Sequence, residues 1–364
     1  MYKKKNTYKV RLLWIGALIL LVIIIKILAS YPVWIETAYV TKFYFLLSAT
    51  LRFLFGWLPF SLGDILYLAA AVWAIKMVWK SSARLLKRQL NKQWFINAGY
   101  KLLVIALSIY IIFNLFWGLN YNRQGSETQL DLKVEKIDSL WLKEIDSILL
   151  LKVNKAKQIV VNQQLAYQSK AQLFSKAMLC YKQAKEKYPF INYENGSVKS
   201  SMFGWLGNYL GFTGYYNPFT GEAQLNTTVP KFIMPYTTLH EMAHQLGYAK
   251  EEEANFVGYL VAVSSTDTLF QYSAYLDLFM YANRKLFFTD SVYASSLAKQ
   301  LSPQVKADLK ELHEFLLKHK SPIEPMIRWA YGSFLKANQQ PKGITSYDEV
   351  IADLIAYYKK YGKI

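Results

Sequence analysis

The sequence predicts a mainly α-helical membrane protein, in which N-terminal transmembrane helices precede one α+β domain with a small sheet. Three observations carry that reading. The first 119 residues hold three long apolar runs. The remainder is dominated by amphipathic helical patterns with one short alternating stretch. Within that second part stands His240-Glu241-Met242-Ala243-His244. At 53% hydrophobic and 16% aromatic, with a mean hydropathy of +0.09, the chain is also more apolar than soluble domains usually are.

Leu12 to Leu28 is interrupted only by Lys26, and with its flanks (about 10–29) it is long enough to cross a bilayer. It resembles a signal-peptide core but lacks a small-x-small cleavage site and leads to further spans, so it reads as an uncleaved anchor. Leu66 to Val78 becomes a full span, about 62–79, when Ser61 to Asp64 lies near the interface. Leu102 to Trp117 gives the third, about 101–118. Between the first two, Phe43 to Phe60 is aromatic and apolar around Arg52. It reads as a fourth crossing or, as its polar breaks and Pro59 favour, as an interfacial or re-entrant segment.

Charge favours three spans. Lys3, Lys4, Lys5, Lys9 and Arg11 precede the first, and Lys80, Arg84, Lys87, Arg88 and Lys92 precede the last, so both regions read as cytoplasmic. Residues 120–364 then lie on the opposite side. The net charge of +18 is largely topological: residues 1–120 hold 15 Lys and Arg against 2 Asp and Glu, and the rest hold 28 against 23. No basic stripe calls for a nucleic-acid partner.

In the C-terminal domain, Leu130 to Leu151, Asn154 to Lys187, Pro303 to Lys320 and Tyr347 to Lys360 have helical periodicity, the last with a Ser346–Glu349 capping-box pattern. Glu222 to Val229 alternates before Pro230, as a half-buried strand does. The single Cys180 excludes an internal disulfide and reads as a buried helical thiol. His313 and His319, six residues apart, fall on different helix faces and read as surface residues.

His240 and His244 are two of only four histidines, and their spacing puts both on one helix face, where they can share a tetrahedral zinc ion. Glu241 is then the proton carrier that activates a metal-bound water. Pro235 with Thr237 and Thr238 predicts a helix opening just before the motif, and Gly247 predicts its end. A metzincin needs a third histidine where Lys250 stands, so that class is excluded. Glu251 to Leu260 reads instead as a second helix with an acidic first turn. Glu251 is the favoured third ligand and Glu253 the next. Asn255, four residues on from Glu251, is placed to hold a ligand histidine by its outer nitrogen.

These residues resemble zinc peptidases of the gluzincin type, and Glu251, Ala254 and Asn255 match the E-x-x-A-N pattern of ImmA/IrrE-type peptidases. More of the chain resembles the bacterial membrane protein family called domain of unknown function 3810. The resemblance rests on Trp117-Gly118-Leu119-Asn120-Tyr121, on Tyr216 to Ala223, and on the His240–Gln245 and Glu251–Phe256 blocks. It implies a zincin-like fold for 120–364 behind a membrane region, 1–119, and a multi-pass protein of the bacterial inner membrane with its catalytic domain periplasmic. By the gluzincin resemblance, the strand before the metal helix receives peptide substrate, which makes Ala223, Gln224, Leu225 and Asn226 candidate substrate-binding residues.

The expected function is therefore zinc-dependent hydrolysis of peptide bonds in a peptide or protein substrate. The alternative is a non-catalytic peptide-binding or assembly protein that retains the fold. Arg328 and Tyr331 are candidate oxyanion donors. Because the motif lies far beyond the last span in sequence, the site is expected to meet water and soluble or surface-exposed polypeptides.

Overall fold

The computed structural model describes residues 2–364, with side chains described from Tyr8 onward. It is mainly helical with one small three-stranded sheet. The N-terminal region comprises α1 (Tyr2–Ala29), α2 (Pro32–Trp34), a π-helical stretch Ile35–Tyr44, α3 (Phe45–Gly56), α4 (Leu62–Leu86) and α5 (Lys92–Phe116). Among the described residues, three helices are long and apolar enough to cross a membrane: Tyr8–Ala29, Leu62–Leu86 and Lys92–Phe116. The second starts at the expected residue 62 and runs on past 79, the third starts before the expected 101, and polar caps begin both. Ser61 accepts from Asp64 N, and Asn91 accepts from Trp94 N.

α1 and α5 run side by side in the same direction. Arg11 donates to Asn97 Oδ1 at 2.7 Å, and Tyr8 donates to Gln93 Oε1 at 3.2 Å. The segment from Phe43 to Phe60 folds back onto the C-terminal domain. Ser48 Oγ donates to Gln245 O at 2.6 Å, and Arg52 donates to Gln245 O and Glu194 O at 3.0 and 3.1 Å. Backbone carbonyls thereby satisfy a fully buried guanidinium. At the two ends of this stretch, Glu36 pairs with Arg123 at 2.8 Å and Ser61 donates to Glu222 at 3.1 Å.

The C-terminal domain follows in order: α6 (Ser126–Gln129), α7 (Ser139–Asn162), α8 (Lys170–Lys187), β1 (Val198–Ser200), α9 (Gly204–Leu210), β2 (Gly214–Asn217), β3 (Glu222–Leu225), α10 (Met234–Gln245), α11 (Glu251–Ser264), α12 (Thr268–Phe287), α13 (Ser291–Lys299), α14 (Pro303–Lys318), α15 (Glu324–Ala337), a 3₁₀ stretch Gly343–Glu349 and α16 (Val350–Tyr361). Ile145, Leu149 and Val153 of α7 join Leu239, Val257, Leu260 and Leu276 in one continuous core. Cys180 lies in it, 3.1 Å from Ser265 Oγ.

Helix boundaries differ from the periodic reading in two places. Leu130 to Asp138 is mostly outside helix, Asp138 caps α7, and the chain breaks at 163–169 rather than near residue 152. A capping box of Ser169 and Gln172 starts α8 there. Ser346 caps nothing; it sits in the 3₁₀ stretch, while Glu349 turns to Lys285 at 2.7 Å and α16 starts at Val350.

The sheet order is β1-β3-β2, with β1 parallel and β2 antiparallel to β3. β3 is thus the central strand. Its Glu222 carboxylate accepts from Ser61 Oγ, Leu62 N, Gly63 N and Thr220 Oγ1, so it fills the N-terminus of α4 and fastens that span to the sheet.

Candidate metal centre

α10 begins earlier than its threonines suggested, at Met234, with Pro235 in the first turn where the missing N–H costs nothing. Thr237 and Thr238 lie inside the helix and donate back to Ile233 O and Met234 O at 3.0 and 2.8 Å. Gly247, at φ +86°, ends it in the left-handed conformation that glycine tolerates best. A side chain there would also strike Asn120 Oδ1 and the Tyr44 ring.

On α10 the His240 and His244 rings meet edge to face with centroids 4.7 Å apart. His240 Nδ1 lies 2.7 Å from Asn255 Oδ1, and His244 Nδ1 lies 2.6 Å from Tyr248 O. Both acceptors hold a proton on Nδ1, so that Nε2 is the nitrogen each ring turns toward the centre. The Nε2 atoms sit 3.2 and 3.5 Å from Glu251 Oε2, at the first turn of α11. Ligands about 2.0–2.1 Å from a tetrahedral zinc stand roughly 3.3 Å apart, so these spacings fit one ion. Glu251 Oε2 is buried with no hydrogen-bond partner, as expected of an oxygen reserved for a cation. The buried His240, His244 and Glu251 group could hold a metal ion.

Glu253, the other candidate ligand, points elsewhere and accepts from Lys250 at 3.0 Å. Glu241 lies beside these three residues, buried, with Oε2 unpartnered. Its carboxylate packs against Gly214, where a Cβ would come within 2.5 Å of Oε1, so the first residue of β2 has to be glycine for Glu241 to fit. Burial, aided by Glu251, pushes Glu241 up to about 7 against the opposing pull of His240 and His244. For His244 burial works downward, but its bond to Glu251 prevails and raises it to about 9. Burial would raise Glu251, yet its two histidine partners hold it far below the carboxylate range.

The family model described as "Protein of unknown function (DUF3810)" matches residues 39–355. The chain belongs to this family. No curated protein and no solved structure matches it. In this DUF3810 protein the stretches that carried the resemblance converge on one place. Trp117 lays its ring 5.8 Å from that of His244 and 4.7 Å from that of Tyr216. Gln245 donates to Ser197 O and Gly221 O at 2.9 and 2.6 Å, clamping α10 to the sheet.

Several expectations need correction. Because β3 is paired on both sides, Ala223, Gln224, Leu225 and Asn226 offer no free edge. Ala223 and Leu225 are core residues, the Gln224 amide sits 2.7 Å from Ser61 Oγ, and Asn226 donates to Asn208 Oδ1 at 2.7 Å. The edge strand next to Glu241 is β2. The centre is also not remote from the spans, since Trp117 directly follows α5. Of the two oxyanion candidates, Arg328 pairs with Glu324 at the surface, whereas Tyr331 reaches the site and donates to Glu251 Oε1 at 2.5 Å. Tyr347 went unnoticed in the sequence: its ring stacks parallel to His240 at 6.0 Å, and its hydroxyl is 3.5 Å from that of Tyr331. Among 28 tyrosines no local spacing marks it.

Proposed function

We propose that this protein is a membrane-anchored, zinc-dependent metallopeptidase. The observation that carries the reading is the convergence of both HExxH histidines and Glu251 on one point, each held in a binding orientation, with Glu241 beside them. A zinc ion held there would acidify a water and polarise a peptide carbonyl. Glu241, with its affinity raised to about 7, is suited to take a proton near neutral pH and return it to the leaving amine. Asn255 and the Tyr248 carbonyl keep the ligand imidazoles oriented. Tyr331 and Tyr347 stand beside these residues, and the Tyr331 hydroxyl, which donates to Glu251 Oε1, is the candidate donor for a developing oxyanion. The outer edge of β2 carries no further strand, so an extended peptide adding there would pass Glu241 at Gly214.

The basic ends of α1 and α5 lie together, away from the domain, which supports an N-in, three-span arrangement in the inner membrane with residues 120–364 periplasmic. The test is metal analysis of the detergent-purified protein together with hydrolysis of a peptide library. Wild type should hold about one zinc per chain. Glu241→Gln should keep the zinc and lose at least about a hundredfold in rate. Glu251→Ala should lose the zinc. Zinc without hydrolysis in the wild type would favour the peptide-binding alternative, and no zinc would sink the peptidase reading and leave that alternative in front.

A further inference from the structure

Two helices beside the metal centre carry apolar side chains that no other part of the described chain covers. Near α9 these are Met202, Trp205 and Leu206, with Trp205 67% exposed; on α15 they are Ile323, Met326 and Trp329, with Trp329 73% exposed. α15 buries only Gly332 and Leu335 along its whole length. Isolated exposed apolar residues are ordinary, but six on adjoining helices form a patch that calls for an occupant.

Their position identifies it. Met202 N donates to Asp64 Oδ2 at 2.7 Å, which ties the approach to α9 to the head of the second candidate span. The Phe334 ring of α15 meets that of Phe113, near the end of the third span, at 5.9 Å. α9 and α15 also adjoin each other, since Gly211, just past α9, lies against Glu324 at the start of α15. The patch therefore continues the lateral face of the spans at the level where they leave the hydrocarbon. Its chemistry suits that depth, with two tryptophans among aliphatic side chains and Arg328 and Lys336 on the same helix.

We propose that the outer face of α9 and α15 is a bilayer-docking surface, seated in the acyl–headgroup boundary of the leaflet at the domain end of the spans. α15 carries Tyr331 on Glu251, and the chain runs from α9 directly into Gly214 beside Glu241, so both walls of the metal centre rest on lipid. On the peptidase reading, and resting on it, the substrate class is then a polypeptide stretch adjoining its own membrane anchor.

The experiment uses the full chain in phosphatidylcholine–phosphatidylglycerol vesicles, with one added cysteine carrying a nitroxide; native Cys180 is buried and stays unlabelled. Met326→Cys and Leu206→Cys are compared with Trp14→Cys within the first span and Lys155→Cys on α7. Labels at 326 and 206 should be several-fold more accessible to oxygen, relative to a nickel chelate, than the label at 155, approaching the label at 14. Nickel accessibility at 326 and 206 equal to that at 155 overturns the proposal. So does exclusion of both reagents with dipolar broadening between labels, which would make the patch a contact between two copies. Neither readout depends on metal or hydrolysis, so failure here leaves the peptidase reading to its own test.

Discussion

Replacing Asn255 by alanine removes the 2.7 Å bond that fixes the His240 ring and the 3.3 Å bond from its amide to Tyr347 O. The pair is buried, so water cannot substitute freely, and the loss costs about 1–3 kcal/mol. Much of that falls on the metal-free and metal-bound states alike and affects stability alone. The part felt by the metal is orientation and tautomer: without Asn255 Oδ1, nothing keeps the His240 proton on Nδ1 and the Nε2 lone pair turned toward Glu251. Losing such an outer partner lowers affinity about 10–100-fold, or roughly 1.4–2.7 kcal/mol. Competition against a chromophoric chelator, with purified full-length protein at fixed pH, measures it directly. Asn255→Asp, which keeps an acceptor, should bind zinc at least as tightly as wild type. If Asn255→Ala stays within about twofold of wild type while His244→Ala loses zinc, Asn255 is only a packing residue and the orientation argument fails.

Two further outcomes follow from buried charge. Metal-free His244, raised to about 9, carries a proton at neutral pH that zinc must displace. Zinc affinity should therefore climb about tenfold per pH unit from roughly 6 to 9 and level off above. Titration calorimetry near neutral pH in buffers of differing ionisation heat should count about one proton released, and none released would contradict this account. Asp146, buried in the α7–α12 core with only Asn283 donating to it at 2.9 Å, is pushed up by burial to about 7. The folded state thus holds a proton that the unfolded chain gives up near pH 4. Stability should fall as pH rises from about 4 to about 7, by up to roughly 4 kcal/mol, and then stay level. Asp146→Asn should show a smaller loss of Tm between pH 5 and pH 8.5 than wild type; an equal loss would place the titration elsewhere.

Local spacing alone specified much of this protein. A seventeen-residue run interrupted only by Lys26 is long enough to be a span, and two histidines four apart share a helix face whatever surrounds them. Gly247 marks a helix end because few other residues tolerate its positive φ. Glu251 and Asn255 were legible for the same reason, as a second i, i+4 pair.

Tertiary structure decided the rest. Which glutamate faces the histidines depends on how α11 crosses α10, and β3 became central because β2 folds back on it from one side while β1 pairs in parallel on the other across the intervening α9. Tyr331 and Tyr347 reach the centre from 87 and 103 residues downstream of His244, and Trp117 from more than 120 upstream of the motif. Such contacts leave no periodic trace, because packing across long loops is set by the shapes and buried areas of whole elements rather than by the order of neighbouring residues.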